Sequence, residues 1–272
     1  MGDEAVRDAA AKKDLATVGS ALAYELRDVS VGYDDRGPVL AHVSAEFEAV
    51  RVHVIEGPSG AGKTTLLNLL MGLVVPLAGE VVGPCPAVCS QPTCDLQPAV
   101  QLRPTCDLQP AARLRLARDP KSAVHPRLAA VFQEDRLCNG LTVTANIRLP
   151  HAHLRGADLD AFLDRSRDAL AAVCLSEAAV DPRPVRELSG GQRRRVAILR
   201  ALLADADVLF FDEPLRGMDA ATVDALMAYA LPLLAGKTVF WVTHAPSEAG
   251  YFPDCVQWRV ENSSLLPATP AK

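Results

Sequence analysis

The glycine-rich segment GPSGAGKTT, residues 57–65, constrains the fold of this chain more than any other feature. It follows the β-branched run VRVHVIE and precedes TTLLNLLMGLV, so the pattern predicts a strand, a loop and a helix in succession. Gly57, Gly60 and Gly62 permit a tight turn that points several backbone N–H groups inward. The segment fits G-x-x-x-x-G-K-[ST] in full, and in this context that pattern predicts a polyphosphate-binding loop.

Two side chains at the end of this loop extend the prediction to a nucleotide with a metal ion. Lys63 can reach β- and γ-phosphates, and the hydroxyl of Thr64 can bind Mg²⁺. Ser59 and Thr65 belong to the same nucleotide-binding segment. A glycine turn with a chance lysine is the less favoured alternative, because the full pattern lies between a strand and a helix.

Two further apolar runs, DVLFFDEP and TVFWVTH, are typical of strands buried on both faces of a parallel sheet. Asp212 would hold Mg²⁺, and Glu213 would orient or deprotonate the attacking water. His244 ends the second run, and Gln133, after the run AAVF, could offer an oxygen to Mg²⁺ or a nitrogen to the water. Singly, the Asp-Glu pair fits a helix cap or a solvated turn, a lone histidine is usually structural, and a lone glutamine is uninformative. Their shared sheet edge favours a site.

The segment LSGGQRRR, residues 188–195, predicts a second phosphate-binding position at the start of a helix. Ser189, Gly190 and Gly191 leave backbone N–H groups free where a partial positive charge favours an anion. The lysine loop already binds one side of its own nucleotide, so this second position is available to another nucleotide. The simplest source is a second copy of the chain, arranged head to tail so that two nucleotides are shared.

Composition and charge narrow the function classes. A net charge of −5 and a pI near 5.7 argue against a broadly basic nucleic-acid surface. No apolar stretch reaches the roughly 20 residues of a membrane-spanning helix, and the N-terminus lacks a signal-peptide pattern. Seven cysteines, an odd number, disfavour a disulfide framework, so we expect a cytosolic protein. Zinc ligation is a less favoured alternative for the clustered cysteines, which lack paired C-x₂-C spacing: Cys85, Cys89, Cys94 and Cys106.

The order of patterns predicts a mostly parallel sheet with helices on its faces, joined by a helical segment at about residues 140–190. Residues 1–20 read as a flexible tail. Residues 84–122 are proline-rich and contain the tandem repeat PTCDLQPAVQLR–PTCDLQPAARLR. Two copies are too few for a solenoid, so this segment is predicted to be an insertion in a surface loop.

In this order, the motifs GPSGAGKTT, VFQ, LSGGQ, FFDEP and VTH resemble those of the ATP-binding cassette (ABC) ATPases over roughly residues 22–260. The resemblance implies an α/β P-loop NTPase fold with a mostly parallel sheet core, an antiparallel β subdomain and an inserted helical subdomain. The ATPase domain would span residues 21–272. It also implies a Mg²⁺-dependent ATPase that forms an ATP-bridged dimer and works on transmembrane permease subunits at the cytoplasmic face of the membrane.

The resemblance further implies roles for single residues. Tyr33 would stack on adenine, Gln133 would be the hinge that senses the γ-phosphate, and His244 would contact that phosphate. The segment LSGGQ, residues 188–192, is the signature segment of this family. Contacts to the ATP of the opposite subunit would come from the start of the helix that it begins: Ser189, Gly190, Gly191 and Gln192. Asp219, in LRGMD, would lie in the loop that crosses between subunits.

Within the family, VFQEDRLCNGLTVTANI and DEPLRGMD are most similar to importers of the nitrate, sulfonate or taurine type, which would add a solute-binding protein as partner. A regulatory ATPase that gates a membrane partner without transport is the alternative. The chain departs from the family pattern at Val50, where glycine is frequent, at Gly217 and Met218, and in the long segment between Lys63 and Gln133.

Overall fold

The computed structural model describes residues 22–33, 37–83, 113–116, 126–179 and 182–268. The predicted tail at 1–20 and the four clustered cysteines lie outside the described residues. Of the predicted insertion at 84–122, only 113–116 are described, and they form a short strand. The boundaries predicted for the tail and the insertion therefore stay predictions.

The described residues form ten strands and five α-helices with short 3₁₀ turns between them. The strands are β1 Leu22–Val31, β2 Leu40–Glu48, β3 Val52–Glu56, β4 Ala78–Gly83, β5 Arg113–Leu116, β6 Leu128–Val131, β7 Val208–Asp212, β8 Thr238–Thr243, β9 Val256–Glu261 and β10 Ser264–Pro267. The α-helices are α1 Lys63–Leu70, α2 Val143–Arg148, α3 Gly156–Ala172, α4 Gly190–Leu202 and α5 Ala220–Leu234.

The strands make two sheets. The first has the order β2-β1-β4-β5, in which β1 pairs antiparallel with both neighbours and β5 pairs parallel with β4. The second has the order β10-β9-β3-β8-β7-β6, in which every pair except β10–β9 is parallel. The predicted α/β P-loop NTPase fold, with its mostly parallel core and antiparallel subdomain, is confirmed.

The central strands β7 and β8 are buried at every position, which explains their unbroken apolar sequences. Successive side chains of a strand point to opposite faces. Phe211 and Trp241 therefore pack in the cluster on the side of helices α2 to α5. Phe210 and Phe240, stacked at 5.1 Å between ring centroids, face α1 and the antiparallel sheet. The core sheet is covered on both sides.

Helix α1 is shorter than its apolar pattern predicts: it ends at Leu70 and not near Pro76. Gly72, at φ 71°, takes the left-handed conformation. The N–H of Leu73 donates to the carbonyl of Asn68 at 2.8 Å, and that of Gly72 donates to the carbonyl of Leu69 at 3.0 Å. These bonds make a Schellman motif, which ends a helix whatever the apolar periodicity beyond it. In the described part of the chain, no helix is long and apolar enough to cross a membrane.

Candidate functional site

The carboxyl ends of four parallel strands, β3, β8, β7 and β6, lie side by side at one edge of the core sheet. Glu56 pairs with Thr243 at the ends of β3 and β8, and Asp212 pairs with Val242 between β7 and β8. Ligands of open parallel sheets bind at such an edge. The loops that follow these strands carry the predicted groups: 57–63, His244, Glu213 and Gln133.

The glycine loop folds around the ammonium group of Lys63. This buried side chain donates from Nζ to the carbonyls of Gly57 at 2.7 Å and Pro58 at 2.9 Å. An ammonium has three N–H donors, so one is available to an anion at the loop. Gly57 has no tolerated substitute, because a Cβ there would lie 2.3 Å from the carbonyl oxygen of Val260. The loop passes too close to its neighbour for any side chain.

Helix α1 begins immediately after this loop without a side-chain cap. Its N-cap residue is Gly62, at φ 107°, and no side chain accepts from the first turn. The first-turn N–H groups and the helix dipole therefore favour a negative charge at the loop. This arrangement suits a phosphate group.

Thr64 and Asp212 bring two oxygens together beside the loop. The Thr64 hydroxyl donates to Asp212 Oδ2 at 2.7 Å, although the two residues belong to different elements of the fold. Burial raises the pKa of Asp212, as does the neighbouring Glu213, whereas the bond from Thr64 and the charges of Arg194 and Lys63 lower it. Hydroxyl and carboxylate oxygens are the donors that Mg²⁺ takes from protein beside nucleotide phosphates. The pair fits that ion.

Glu213 follows β7 and lies between two basic side chains. Its Oε2 is 3.2 Å from Arg216 Nη1, and its Oε1 is 3.5 Å from His244 Nδ1. Its backbone has φ 48°, and its N–H donates to the carbonyl of Val242 at 2.9 Å. A non-glycine residue held in the left-handed region carries strain that is typical of functional sites. The carboxylate is half-buried, so it can meet both protein and solvent groups.

Two further predicted residues border this edge. Gln133 is exposed just beyond β6. Tyr33 is 51 % exposed, and its hydroxyl accepts from Asn68 Nδ2 of α1 at 3.0 Å. Because α1 begins at Lys63, this bond ties the aromatic ring to the helix that follows the glycine loop. The ring is therefore held beside α1.

The signature segment lies at the start of α4 and not in the loops that follow the strands at this sheet edge. As predicted, it starts a helix: Ser189 is the N-cap of α4 and forms a capping box with Gln192. The N–H of Gln192 donates to Ser189 Oγ at 3.3 Å, and the N–H of Ser189 donates to Gln192 Oε1 at 2.9 Å. Asp219 caps α5 through its side chain alone, accepting from the N–H of Thr222 at 2.9 Å. Across the described residues, no hydrogen bond or ion pair joins Ser189, Gly190 or Gly191 to the glycine loop.

Sequence reasoning missed three polar side chains that contact these residues: Arg194, Arg216 and Asn68. Of the three, only Arg194 could have been identified from the sequence pattern. It precedes the buried Ala197 and Ile198 by three and four positions on α4, so helical periodicity places it on the buried face. A cation on a buried face requires nearby acceptors.

Comparison with known sequences agrees with this geometry. The sequence profile described as "ABC transporter" matches residues 40–216. The taurine import ATP-binding protein TauB of Pseudomonas fluorescens (strain Pf0-1) is 33% identical over 214 residues, which cover 78% of this chain and 67% of TauB. The thiamine import ATP-binding protein ThiQ of Mesorhizobium japonicum is 33% identical over 237 residues, covering 85% of this chain and 78% of ThiQ.

Solved structures share the fold. An ATP-binding subunit of an ABC transporter superposes with a TM-score of 0.66 at 21% identity, covering 91% of this chain and 90% of that one. A bacterial Atm1-family ABC exporter with ATP bound gives 0.62 at 22% identity, covering 92% of this chain and 38% of the exporter. The matched profile, the import ATP-binding relatives and the fold together place this chain in the ABC transporter family, as an ATPase similar to those of its importers.

Proposed function

We propose that this chain is the ATP-binding and ATP-hydrolysing subunit of an ABC importer, which couples ATP-driven closure of a dimer to solute import through a separate transmembrane permease. One observation carries the proposal: Lys63, Thr64, Asp212, Glu213 and His244 follow neighbouring strand ends at a single sheet edge. These groups supply a cation, two hard oxygen donors, a carboxylate and an imidazole, which together suit phosphoryl transfer to water.

In this proposal the glycine loop binds the ATP phosphates. The N–H groups at the start of α1 and the free N–H donor of Lys63 neutralise phosphate charge. Ser59, Gly60 and Thr65 complete the loop side of the site. The exposed ring of Tyr33, tied to α1 through Asn68, stacks on the adenine. These contacts position the nucleotide along the sheet edge.

Thr64 and Asp212 would hold Mg²⁺, with Gln133 as a further oxygen donor from the β6 side. When bound, Mg²⁺ would supply positive charge to neutralise the negative charge that develops during phosphoryl transfer. The protein prepares this position by burying Asp212 and directing the hydroxyl of Thr64 at its carboxylate. The ion would therefore replace an existing hydroxyl-to-carboxylate bond.

Glu213 would act as the general base toward water, and His244 would contact the γ-phosphate. A carboxylate must be free of a competing cation to accept a proton effectively. The bond from Arg216 to Glu213 therefore exchanges for the attacking water before hydrolysis. His244 is well placed for a phosphate contact, because its ring is exposed at the same edge.

The opposite side of each ATP would come from a second copy of the chain. The Oγ of Ser189 uses a lone pair for its cap, so its O–H still can donate to a phosphate oxygen. The N–H groups of Gly190 and Gly191 and the side chain of Gln192 lie beside it, at the positive end of α4. Asp219 would contact the partner from its exposed position at the start of α5.

The import function, the permease and an extracytoplasmic solute-binding protein follow from the relatives, whose names describe taurine and thiamine import ATP-binding proteins. The chain would then act at the cytoplasmic face of the membrane. Co-purification of the tagged chain with a multi-span membrane protein from its own cell tests this part. Recovery of a partner with no transport activity in reconstituted vesicles would contradict import.

Glu213→Gln tests the chemistry. The variant should bind ATP with unchanged affinity and hydrolyse it at least ~10²-fold more slowly, the scale expected when a general base is removed. Turnover equal to that of the unchanged protein would remove Glu213 from this role.

Mixing two inactive variants tests the shared site. Lys63→Ala removes the loop side of each site, and Ser189→Arg blocks the signature side. In a head-to-tail dimer of one copy of each, one of the two sites retains both intact sides, so the mixture should hydrolyse ATP several-fold faster than either variant alone. Lys63→Ala mixed with Thr64→Val is the matched control, because both changes affect the same side and no site is restored. Equal activity in the two mixtures would refute sharing.

A further inference from the structure

Arg194 is an almost fully buried cation in the middle of the predicted catalytic region. Its relative exposure is 5% although it lies in the second turn of α4, close to the signature residues. Charged side chains are almost never buried unless their charge is compensated. The neighbouring Arg195 turns away and donates to the carbonyl of Val173 at 2.8 Å, so charge alone does not decide where these arginines point.

One side of the Arg194 guanidinium binds the turn that contains Glu213. Nη2 donates to the carbonyl of Asp212 at 2.5 Å and to that of Glu213 at 2.8 Å. Nε donates to the carbonyl of Pro214 at 3.1 Å. Three successive carbonyls thus converge on one cation, at the turn where Glu213 has its left-handed backbone. Without a cation, these converging dipoles would repel one another.

The other side of the same guanidinium binds the loop that contains Gln133. Nη1 donates to the carbonyl of Phe132, to the carbonyl of Gln133 at 3.4 Å and to Asp135 Oδ1 at 3.3 Å. The planar guanidinium presents its five N–H donors in a fixed geometry, which an ammonium cannot reproduce. Arg194 therefore joins α4, the end of β7 and the end of β6 through one rigid group.

We propose that Arg194 is a positioning residue, which sets the backbone of Glu213 and Gln133 from the helix that begins at Ser189. This proposal rests on the proposed function, because it assumes that Glu213 acts on water. Docking of a partner's ATP at the start of α4 is then communicated to the Glu213 turn by a single side chain. Arg194 would act through its bonds to these backbone carbonyls and not through direct contact with the nucleotide.

The test compares four proteins under single-turnover conditions with excess enzyme over labelled ATP: unchanged, Arg194→Met, Glu213→Gln and the double variant. Methionine keeps the length of the apolar stem and removes all donors. Arg194→Met should lower the hydrolysis rate at least ~10-fold, as small displacements of reacting groups do. Its ATP dissociation constant should change by less than about threefold, because Arg194 has no contact with the Lys63 loop.

In the Glu213→Gln background, Arg194→Met should lower the remaining rate by a much smaller factor than in the unchanged protein, because the general base is already gone and only the positioning of Gln133 is still lost. A purely structural role predicts that the two effects multiply. Arg200→Met is the matched control: Arg200 lies on the same helix and donates to the carbonyls of Arg136 and Asp135, but it has no bond to the Glu213 turn. It should retain a rate within about threefold of the unchanged protein.

The outcomes separate the two proposals. If Glu213→Gln leaves hydrolysis unchanged, the proposed function is wrong about the base. If Glu213→Gln slows hydrolysis while Arg194→Met does not, the positioning proposal alone is wrong. It is equally wrong if the two effects multiply, if ATP affinity falls together with rate, or if Arg200→Met slows hydrolysis as much as Arg194→Met.

Discussion

The hydroxyl of Thr64, the second residue of α1, donates a hydrogen bond of 2.7 Å to the carboxylate of Asp212 at the end of β7. Two residues that are far apart in the sequence thereby form one pair of oxygens beside the glycine loop. Asp212 is only 3% exposed, and such burial is costly for a charged group. Burial of Asp212 therefore lowers the free energy of unfolding, at a position where the proposed function requires a carboxylate.

Removal of this charge should stabilise the free protein. Burial raises the folded-state pKa of Asp212, so its contribution to stability is complete below the unfolded pKa and is lost as the pH rises through the folded pKa. Asp212→Asn should therefore raise Tm at pH 7.5 and abolish Mg²⁺-dependent hydrolysis. Thermal melts at several pH values check this, since the gain should shrink as the pH approaches 4. A lower Tm for the variant at pH 7.5 would contradict the argument.

His53 should make the protein sensitive to mild acid. Trp258 Nε1 donates to His53 Nδ1 at 3.3 Å, so the proton of the neutral ring is on Nε2, which donates to the carbonyl of Glu48 at 2.8 Å. Burial lowers the pKa of His53, and the Glu48 carbonyl opposes this. Its contribution to stability is therefore complete above about pH 6.5 and is lost as the pH falls toward the folded pKa.

His53→Phe is the test for this histidine. Phenylalanine leaves the Trp258 N–H and the Glu48 carbonyl without their partner, so the variant should lose about 2 kcal/mol of unfolding free energy at pH 8. Urea unfolding at pH 8 and pH 5.5 should show a smaller loss on acidification for the variant than for the unchanged protein. Equal losses would mean that another group causes the acid sensitivity.

Helices α1 and α3 both end in a Schellman motif, but the residue with the left-handed backbone differs between them. Substitutions at these two positions are expected to change stability in opposite directions. Gly72 after α1 and Cys174 after α3 both have left-handed backbones, at φ 71° and φ 57°. In the second motif the N–H of Leu175 donates to the carbonyl of Leu170 at 2.7 Å, as that of Leu73 does to Asn68 in the first. A side chain in this conformation costs about 1–2 kcal/mol relative to glycine.

Cys174→Gly should therefore stabilise the protein by about 1 kcal/mol, and Gly72→Ala should destabilise it by a similar amount. The entropy of glycine in the unfolded chain reduces the first effect. Chemical unfolding of the two variants and of the double variant measures both, and the effects should add because the motifs are in different parts of the fold. No gain from Cys174→Gly would show that the strain is relieved elsewhere.

Tyr33 allows a test of nucleotide stacking. Tyr33→Ala should raise the KM for ATP at least ~5-fold, since stacking of a base on an aromatic ring contributes about 1–3 kcal/mol. Tyr33→Phe keeps the ring and loses only the acceptor for Asn68 Nδ2, so it should raise KM by less than about threefold. Initial rates over a range of ATP concentrations distinguish the two. Equal KM values for both variants would exclude stacking on this ring.

Three local parts of this protein are predictable from the order of residues alone: the glycine loop between β3 and α1, the apolar runs of β7 and β8, and the capped start of α4 at Ser189. Each depends on neighbouring residues in the chain, whose periodicity and backbone preferences are visible in a linear pattern. The shared sheet edge was also predictable, because consecutive parallel strands place their carboxyl ends together.

Which side chains meet depends on the folded protein and is not visible in the linear sequence. The bond from Thr64 to Asp212 and the place of Arg216 beside Glu213 depend on how separate loops approach across the edge. Arg194 is the clearest case. Three consecutive arginines are equivalent in a composition, yet one of them is directed into the core, where five backbone carbonyls converge to accept its N–H groups. Burial and hydrogen-bond geometry, which depend on the whole fold, make that distinction.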